Sequence, residues 1–187
     1  MRIIAGSARG VPLFAPNGLE TRPTQDRVKE SLFNILQGEL FQARVLDLFA
    51  GSGALGLESL SRGAERAVLV DQDREAVQCI QRNVDKLRFA QRAAIYPCDW
   101  RQAVERLAKE AARFDLVFLD PPYRMTELLP LCDELAQKGL LAEGATVVWE
   151  HRLGAEAVLS FRFLPIRERS FGDTQFHLFR YQGEESQ

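Results

Sequence analysis

Four aspartates, Asp47, Asp71, Asp99 and Asp120, follow one another at intervals of 24, 28 and 21 residues. Each stands at or just beyond the end of a short apolar run: Arg44–Phe49, Arg66–Asp71, Ala93–Tyr96 and Asp115–Asp120. If these runs are parallel strands, the acids reach the carboxyl edge of one sheet, where open α/β sheets bind their ligands. Carboxylates arriving there in step would line a common crevice.

The first acid opens a glycine loop, Asp47-Leu48-Phe49-Ala50-Gly51-Ser52-Gly53, which continues to Gly56. Gly51-Ser52-Gly53-Ala54-Leu55-Gly56 meets the G-x-G-x-x-G pattern, and Asp71 stands 20 residues beyond its first glycine, where a ribose hydroxyl could be accepted. Neither feature demands a pyrophosphate. Asp47 argues against one, because a carboxylate before the loop repels an anion and suits a cation. A sulfonium that also carries an ammonium group, S-adenosylmethionine, fits that charge. Phe49, Gly51, Ser52 and Gly53 would then border it, Asp71 would hold its ribose, and Asp99 with the Trp100 backbone N–H would meet its adenine. A simpler role for Asp99 is to cap a helix beginning near Arg101.

The last acid belongs to Asp120-Pro121-Pro122-Tyr123, directly after the apolar Leu116–Leu119. The prolines fix the turn and remove its N–H donors, so it presents carbonyls at a set angle. A carboxylate and a carbonyl that grip the two N–H groups of an exocyclic base amine favour the geometry exposing its lone pair. Tyr123 would stack on that base. The chemistry expected of Asp120, Pro121, Pro122 and Tyr123 is therefore methyl transfer to a planar nitrogen, with the proton lost after transfer.

These groups need a scaffold. From residue 44 the chain alternates strand, loop and amphipathic helix, the mark of a parallel sheet with crossover helices. A fifth strand is expected at Ala145–Glu150, and helices run through Val77–Leu87, Val104–Ala111 and Leu128–Leu135. Phe161–Arg169 and Gln175–Gln182, joined by a short turn, should close the sheet as an antiparallel pair. The expected fold is α/β, Rossmann-like, with a mostly parallel seven-stranded sheet. Ahead of it, Arg2–Ala5 and Val11–Ala15 read as a β-hairpin, and Thr24 as the N-cap of a helix ending near Gly38. We divide the chain into an arm and helix, residues 1–38, and a main domain, residues 39–187.

Composition narrows the classes. With 187 residues, 46% hydrophobic and 27% charged, the chain can bury one core and is not disordered in bulk. No stretch approaches a membrane span, and the opening residues lack a signal-peptide pattern, so a cytoplasmic protein without a membrane partner is expected. Cys79, Cys98 and Cys132 offer neither a disulfide framework nor a metal spacing and read as small buried residues. His151 and His177 also lack ligand spacing, so no metal is expected, and Trp149 reads as core. Although the net charge is −2, residues 1–29 carry five cations against two acids. Twenty of the 24 cationic residues are arginine, the better fork for phosphate and the better plane for bases. Arg2, Arg9, Arg22 and Arg27 are the candidate nucleic-acid contacts.

The loop and turn together resemble the Rossmann-like amino methyltransferases that use S-adenosylmethionine. Arg2-Ile3-Ile4-Ala5-Gly6 with Arg9-Gly10, Arg22-Pro23-Thr24-Gln25-Asp26-Arg27-Val28-Lys29-Glu30, Gly51 to Gly63 and Phe171-Gly172-Asp173-Thr174 resemble, more narrowly, the RsmD family across nearly the whole chain. That resemblance implies methylation of N2 of a guanine in bacterial small-subunit (16S) ribosomal RNA, S-adenosylhomocysteine as product, and the RNA or an assembling small subunit as partner. A monomer is expected. An N6-adenine methyltransferase of RNA or DNA, a non-catalytic RNA-binding assembly factor and a nicotinamide-dependent oxidoreductase are the competing readings.

Overall fold

In the computed structural model, residues 1–16, 23–121, 128–152 and 159–183 are described. Seven strands form one sheet: β1 (Arg44–Asp47), β2 (Arg66–Val70), β3 (Ala93–Tyr96), β4 (Phe114–Leu119), β5 (Leu141–Arg152), β6 (Phe163–Phe171) and β7 (Thr174–Tyr181). Their spatial order is β3-β2-β1-β4-β5-β7-β6. The first five are parallel, and β7 runs antiparallel to both β5 and β6. The expected Rossmann-like sheet with its closing antiparallel pair is therefore present. The chain steps outward from β1 to β3 and returns to place β4 beside β1. That reversal opens a crevice above the β1–β4 junction.

Helices α1 (Pro23–Ile35), α2 (Ala54–Ser61), α3 (Arg74–Leu87), α4 (Trp100–Lys109) and α5 (Leu128–Gln137) accompany the strands. Two apolar clusters form the core. One joins Val45, Leu116, Phe118 and Val148 to Leu57, Ile80 and Phe33. The other joins Leu46, Val117, Leu119 and Val147 to Val104, Leu107 and Leu131. Alternate residues of each strand thus enter opposite clusters, as the two-residue strand period requires.

Several boundaries differ from the sequence expectation. Helix α1 starts at Pro23, a residue suited to a first helical position because its missing N–H needs no partner, so Thr24 lies inside the first turn. The N-terminal reversal is one antiparallel bridge, Arg2 to Pro12, with flanking backbone bonds from Ile3 to Val11 and from Gly10 to Ile3, rather than two strands. Its glycine-rich turn leaves too few extended residues for a longer ladder. Strand β5 is longer than expected, and Cys98 is half-buried while Cys79 and Cys132 are buried.

The N-terminal segment lies on the domain. Ile3 and Leu13 are buried in the first cluster. The fully buried carboxylate of Glu58 on α2 accepts the backbone N–H groups of Ile4 (2.8 Å) and Ala5 (3.0 Å). It also pairs with Lys29 at 3.2 Å and Arg62 at 2.7 Å, so a buried charge is fully compensated.

Candidate active site

Asp47 is the last residue of β1, in register with Phe118 of β4. Its carboxylate is buried and accepts the Gly56 N–H at 3.0 Å. Burial pushes this carboxyl up to about 7, and the nearby charges of Asp120 and Asp71 push the same way against the Gly56 hydrogen bond. Gly56 allows the contact by its size: a Cβ there would lie 2.2 Å from a Leu69 methyl. The third glycine of the pattern thus serves close packing of α2 on β2.

The glycine loop turns between them. Gly51 and Gly53 adopt positive φ values of 55° and 77°, and Gly53 stands at the start of α2. Asp71, just beyond β2, accepts the Gly51 N–H at 2.8 Å through one oxygen and the Asp73 N–H at 2.9 Å through the other. It therefore clamps the loop, and each oxygen retains a further lone pair for a ligand hydroxyl. A Cβ added to Gly51 would meet nothing within 4 Å, so the loop backbone faces open space. Ser52 turns the other way: its hydroxyl lies 3.7 Å from the Met1 sulfur, and its carbonyl accepts from Asn83 at 2.9 Å. Asn83 also exchanges hydrogen bonds with the backbone of Phe14, tying the loop to the N-terminal segment.

Asp120 follows the last residue of β4, whose neighbour across the ladder is Trp149 of β5. It opens onto the cleft, yet crowding by surrounding protein raises its carboxyl above the usual range. Glu150, next along β5, is half-buried and is raised too, first by burial and then by the charges of Asp120 and Asp47. Three carboxylates on the adjacent strands β1, β4 and β5 thus share one side of the sheet. Glu150 was not among the expected site residues, although the rule that picked the four aspartates reaches it as the acid near the end of the fifth strand. Asn83 and Glu58 carried no comparable signal.

The remaining expected residues fall as follows. Asp99 caps α4 by accepting the Arg101 N–H at 2.9 Å, and Trp100 is buried in the first turn with its ring under the Arg101 guanidinium. Phe49 is half-buried, packed against the second cluster. Pro121 is half-buried beside Asp120, whereas Pro122, Tyr123 and Arg22 lie outside the described residues. Arg9 and Arg27 are exposed, and Arg2 pairs with Asp26 at 3.3 Å. Among the described residues no group of three His, Cys, Asp or Glu side chains could hold a metal ion, and no helix is long and apolar enough to cross a membrane. A cavity of about 480 Å³ lies at the opposite edge of the sheet, lined by Arg44, Arg66, Arg92 and Phe114, away from the converging acids.

Known proteins resemble this chain in sequence and in fold. The family model described as Conserved hypothetical protein 95 matches residues 1–180. The chain is 39% identical over 150 residues to Ribosomal RNA small subunit methyltransferase D of Escherichia coli (strain K12), covering 80% of this chain and 74% of that protein. The protein of the same name from Haemophilus influenzae is 31% identical over 180 residues, covering 96% and 93%. Among solved structures, yhhF from Escherichia coli superposes with a TM-score of 0.86 at 36% identity, covering 98% of this chain and 99% of that one. An RNA methyltransferase from Salinibacter ruber, solved with S-adenosyl-L-homocysteine, shares the fold at a TM-score of 0.65 and 16% identity, covering 90% and 97%.

Proposed function

The chain belongs to the Conserved hypothetical protein 95 family, and from that premise we propose that it transfers a methyl group from S-adenosylmethionine to N2 of a guanine in small-subunit ribosomal RNA. The observation that carries the reading is the meeting of the Asp47–Gly53 loop with Asp120 across the β1–β4 junction. The names of the relatives support ribosomal RNA as the substrate class, and the sequence resemblance supplies the guanine. The partner is then that RNA or the assembling small subunit, met in the cytoplasm by a monomer whose residues 1–38 help to hold RNA.

The residues fit the donor. Open space at Gly51 admits a ligand against the loop backbone, Asp71 offers acceptors for ribose hydroxyls, and the buried Asp47 favours a cation over a dinucleotide's pyrophosphate. When bound, S-adenosylmethionine supplies a methyl group on a positively charged sulfur. Asp120 and the Pro121 carbonyl accept the two N–H groups of the guanine amine and hold its lone pair toward that methyl. As the N–C bond forms and the S–C bond breaks, the nitrogen becomes acidic, and its proton passes to Asp120 or water. A carboxyl raised above its ordinary range is suited to receive it. The base must leave its stack to reach this point, because its exocyclic nitrogen has to approach both Asp120 and the donor's methyl group.

Mass-spectrometric mapping of small-subunit ribosomal RNA from cells with and without the gene tests the proposal. A single N2-methylguanine present only with the gene is expected. An unchanged methylation map, with a protein that still binds S-adenosylmethionine, would favour the assembly-factor reading instead.

A further inference from the structure

The hydrogen-bonding register extends the acidic side of the sheet outward. Glu150 of β5 pairs with Phe176 of β7, and Phe176 pairs with Arg169 of the edge strand β6. Cross-strand partners point to the same side, so Asp120, Glu150, Phe176 and Arg169 lie in one row across four strands. Arg167, two residues before Arg169, pairs with Leu178, which is buried in the same cluster as Phe176, and therefore shares that side. At about 4.8 Å per strand, the β6 backbone stands about 14 Å from that of Asp120.

Both guanidinium groups are available. Arg167 and Arg169 are exposed, and among the described residues neither is ion-paired. Among the described residues, the one hydrogen bond of Arg169 goes to the backbone carbonyl of its neighbour Glu168 at 3.0 Å. Glu168 itself pairs with His177 on the other side of the sheet, so its carboxylate does not neutralise the arginines. Phe176 stands between Glu150 and Arg169 in that row, and its ring packs against Phe171 of β6 with the centroids 6.1 Å apart. A nucleic acid whose base enters at the acids must run its phosphates away from them, because anions and carboxylates repel. Among the described residues, the edge strand offers two unpaired cations on that side.

We propose that Arg167 and Arg169 of β6 bind the phosphate backbone flanking the nucleotide that enters the cleft at Asp120. This rests on the methyl-transfer reading and adds to it a contact surface separate from the N-terminal segment. Arginine forks suit phosphate oxygens, and such contacts position a substrate without reading its sequence.

The test compares two double variants by filter binding and methyl transfer, using unmodified 16S transcript and unmodified small subunits at about 50 to 200 mM salt. R167Q/R169Q removes two charges at β6; R66Q/R113Q removes two exposed charges at the opposite edge. Binding of S-adenosylmethionine and the circular-dichroism spectrum verify folding. For R167Q/R169Q, KM for RNA should rise about tenfold with kcat unchanged, and the salt slope should fall by about 1.5, at about 0.7–0.9 per lost phosphate contact. R66Q/R113Q should stay near wild type. Equal slopes for wild type and R167Q/R169Q, or equal losses in both doubles, would overturn the proposal and leave β6 as a protein-facing edge or a solvated one. A wild type that neither binds nor methylates either substrate would instead sink the reading beneath it.

Discussion

The two edges of the parallel sheet carry opposite charges and treat them differently. Arg44 and Arg66 begin β1 and β2, and Arg92 and Arg113 immediately precede β3 and β4; an aspartate stands at or beyond the other end of each strand. At the arginine edge two partly covered charges, Arg44 and Arg92, are compensated. Arg44 makes a two-pronged contact with Asp115 at 3.1 Å, and Arg92 donates to the carbonyls of Leu60 and Ala64 while lying over Phe89. At the aspartate edge Asp47, Asp120 and Glu150 face one another, and all three are raised. One edge is built for stability. The other gathers carboxyls whose ionisation the fold opposes, the arrangement that the proposed methyl transfer would use to meet a cation and a base.

The sharpest way to break this contrast is Asp120→Ala. Loss of the acceptor that holds the amine should lower kcat by on the order of 10²–10³, the cost of removing one well-placed transition-state contact. S-adenosylmethionine affinity, measured by calorimetry, should change little. Equal losses in both would place Asp120 in the donor site rather than at the transferring nitrogen.

Asp47→Asn should separate function from stability at the same edge. Binding of S-adenosylmethionine should weaken by about 10- to 100-fold, the range of a charge-assisted contact of about 1.5–3 kcal/mol. Stability should move the opposite way. The folded carboxyl of Asp47 lies near 7, above its unfolded value near 4, so its contribution is fully present below about pH 4 and is lost as pH rises through 7. Above pH 7 the Asn variant should therefore be the more stable, by a few kcal/mol at most at about 1.4 kcal/mol per pH unit. Urea unfolding at pH 5 and pH 8 measures it; a gap that does not widen with pH would contradict the buried-charge account.

Glu150→Gln sharpens the comparison further. Glu150 is raised to about 8, first by burial and then by the charges of Asp120 and Asp47, whereas Asp120 is raised by burial to about 6, so Asp120 ionises while Glu150 is still neutral. The neutral Gln should therefore leave the acid limb of the kcat profile in place and alter the profile only near pH 8, where a second negative charge would otherwise enter the site. An acid limb that moved to lower pH would mean that Glu150 ionises first and opposes Asp120.

The aspartates were legible because strand-end position is a property of the sequence: alternating elements set the strands, and one rule locates the ligand. Glu150 obeys the same rule, but Trp149 and His151 around it drew attention to the core instead. The capping of α4 by Asp99 was legible as an alternative, since a carboxylate just before a helix can serve either use. What could not be read was the role of Glu58. Within Ala54–Ser61 it has the spacing of a solvent-facing helix residue, and only the return of residues 1–15 over α2 buries it. That burial depends on contacts more than fifty residues apart, which no local pattern encodes. The short N-terminal bridge is hidden for the same reason, because tertiary packing rather than a strand ladder holds the segment.

The smallest effect belongs to the arginine edge. Burial acts to raise the Asp115 carboxyl, but the Arg44 guanidinium and backbone N–H more than offset it and hold the group below its ordinary value. Its stabilisation is thus present above about pH 4 and fades as pH falls through the lowered folded value. Both partners are partly exposed, 43% and 38%, so solvent screens the pair and Arg44→Met should cost no more than about 1 kcal/mol. The loss should shrink at high salt and at acid pH, and kcat should not change. A larger, salt-independent loss would show the pair to be a structural pin at the base of β1 and β4. A change in kcat would mean that the two edges are mechanically coupled through those strands, and the division between a stabilising edge and a reactive one would no longer hold.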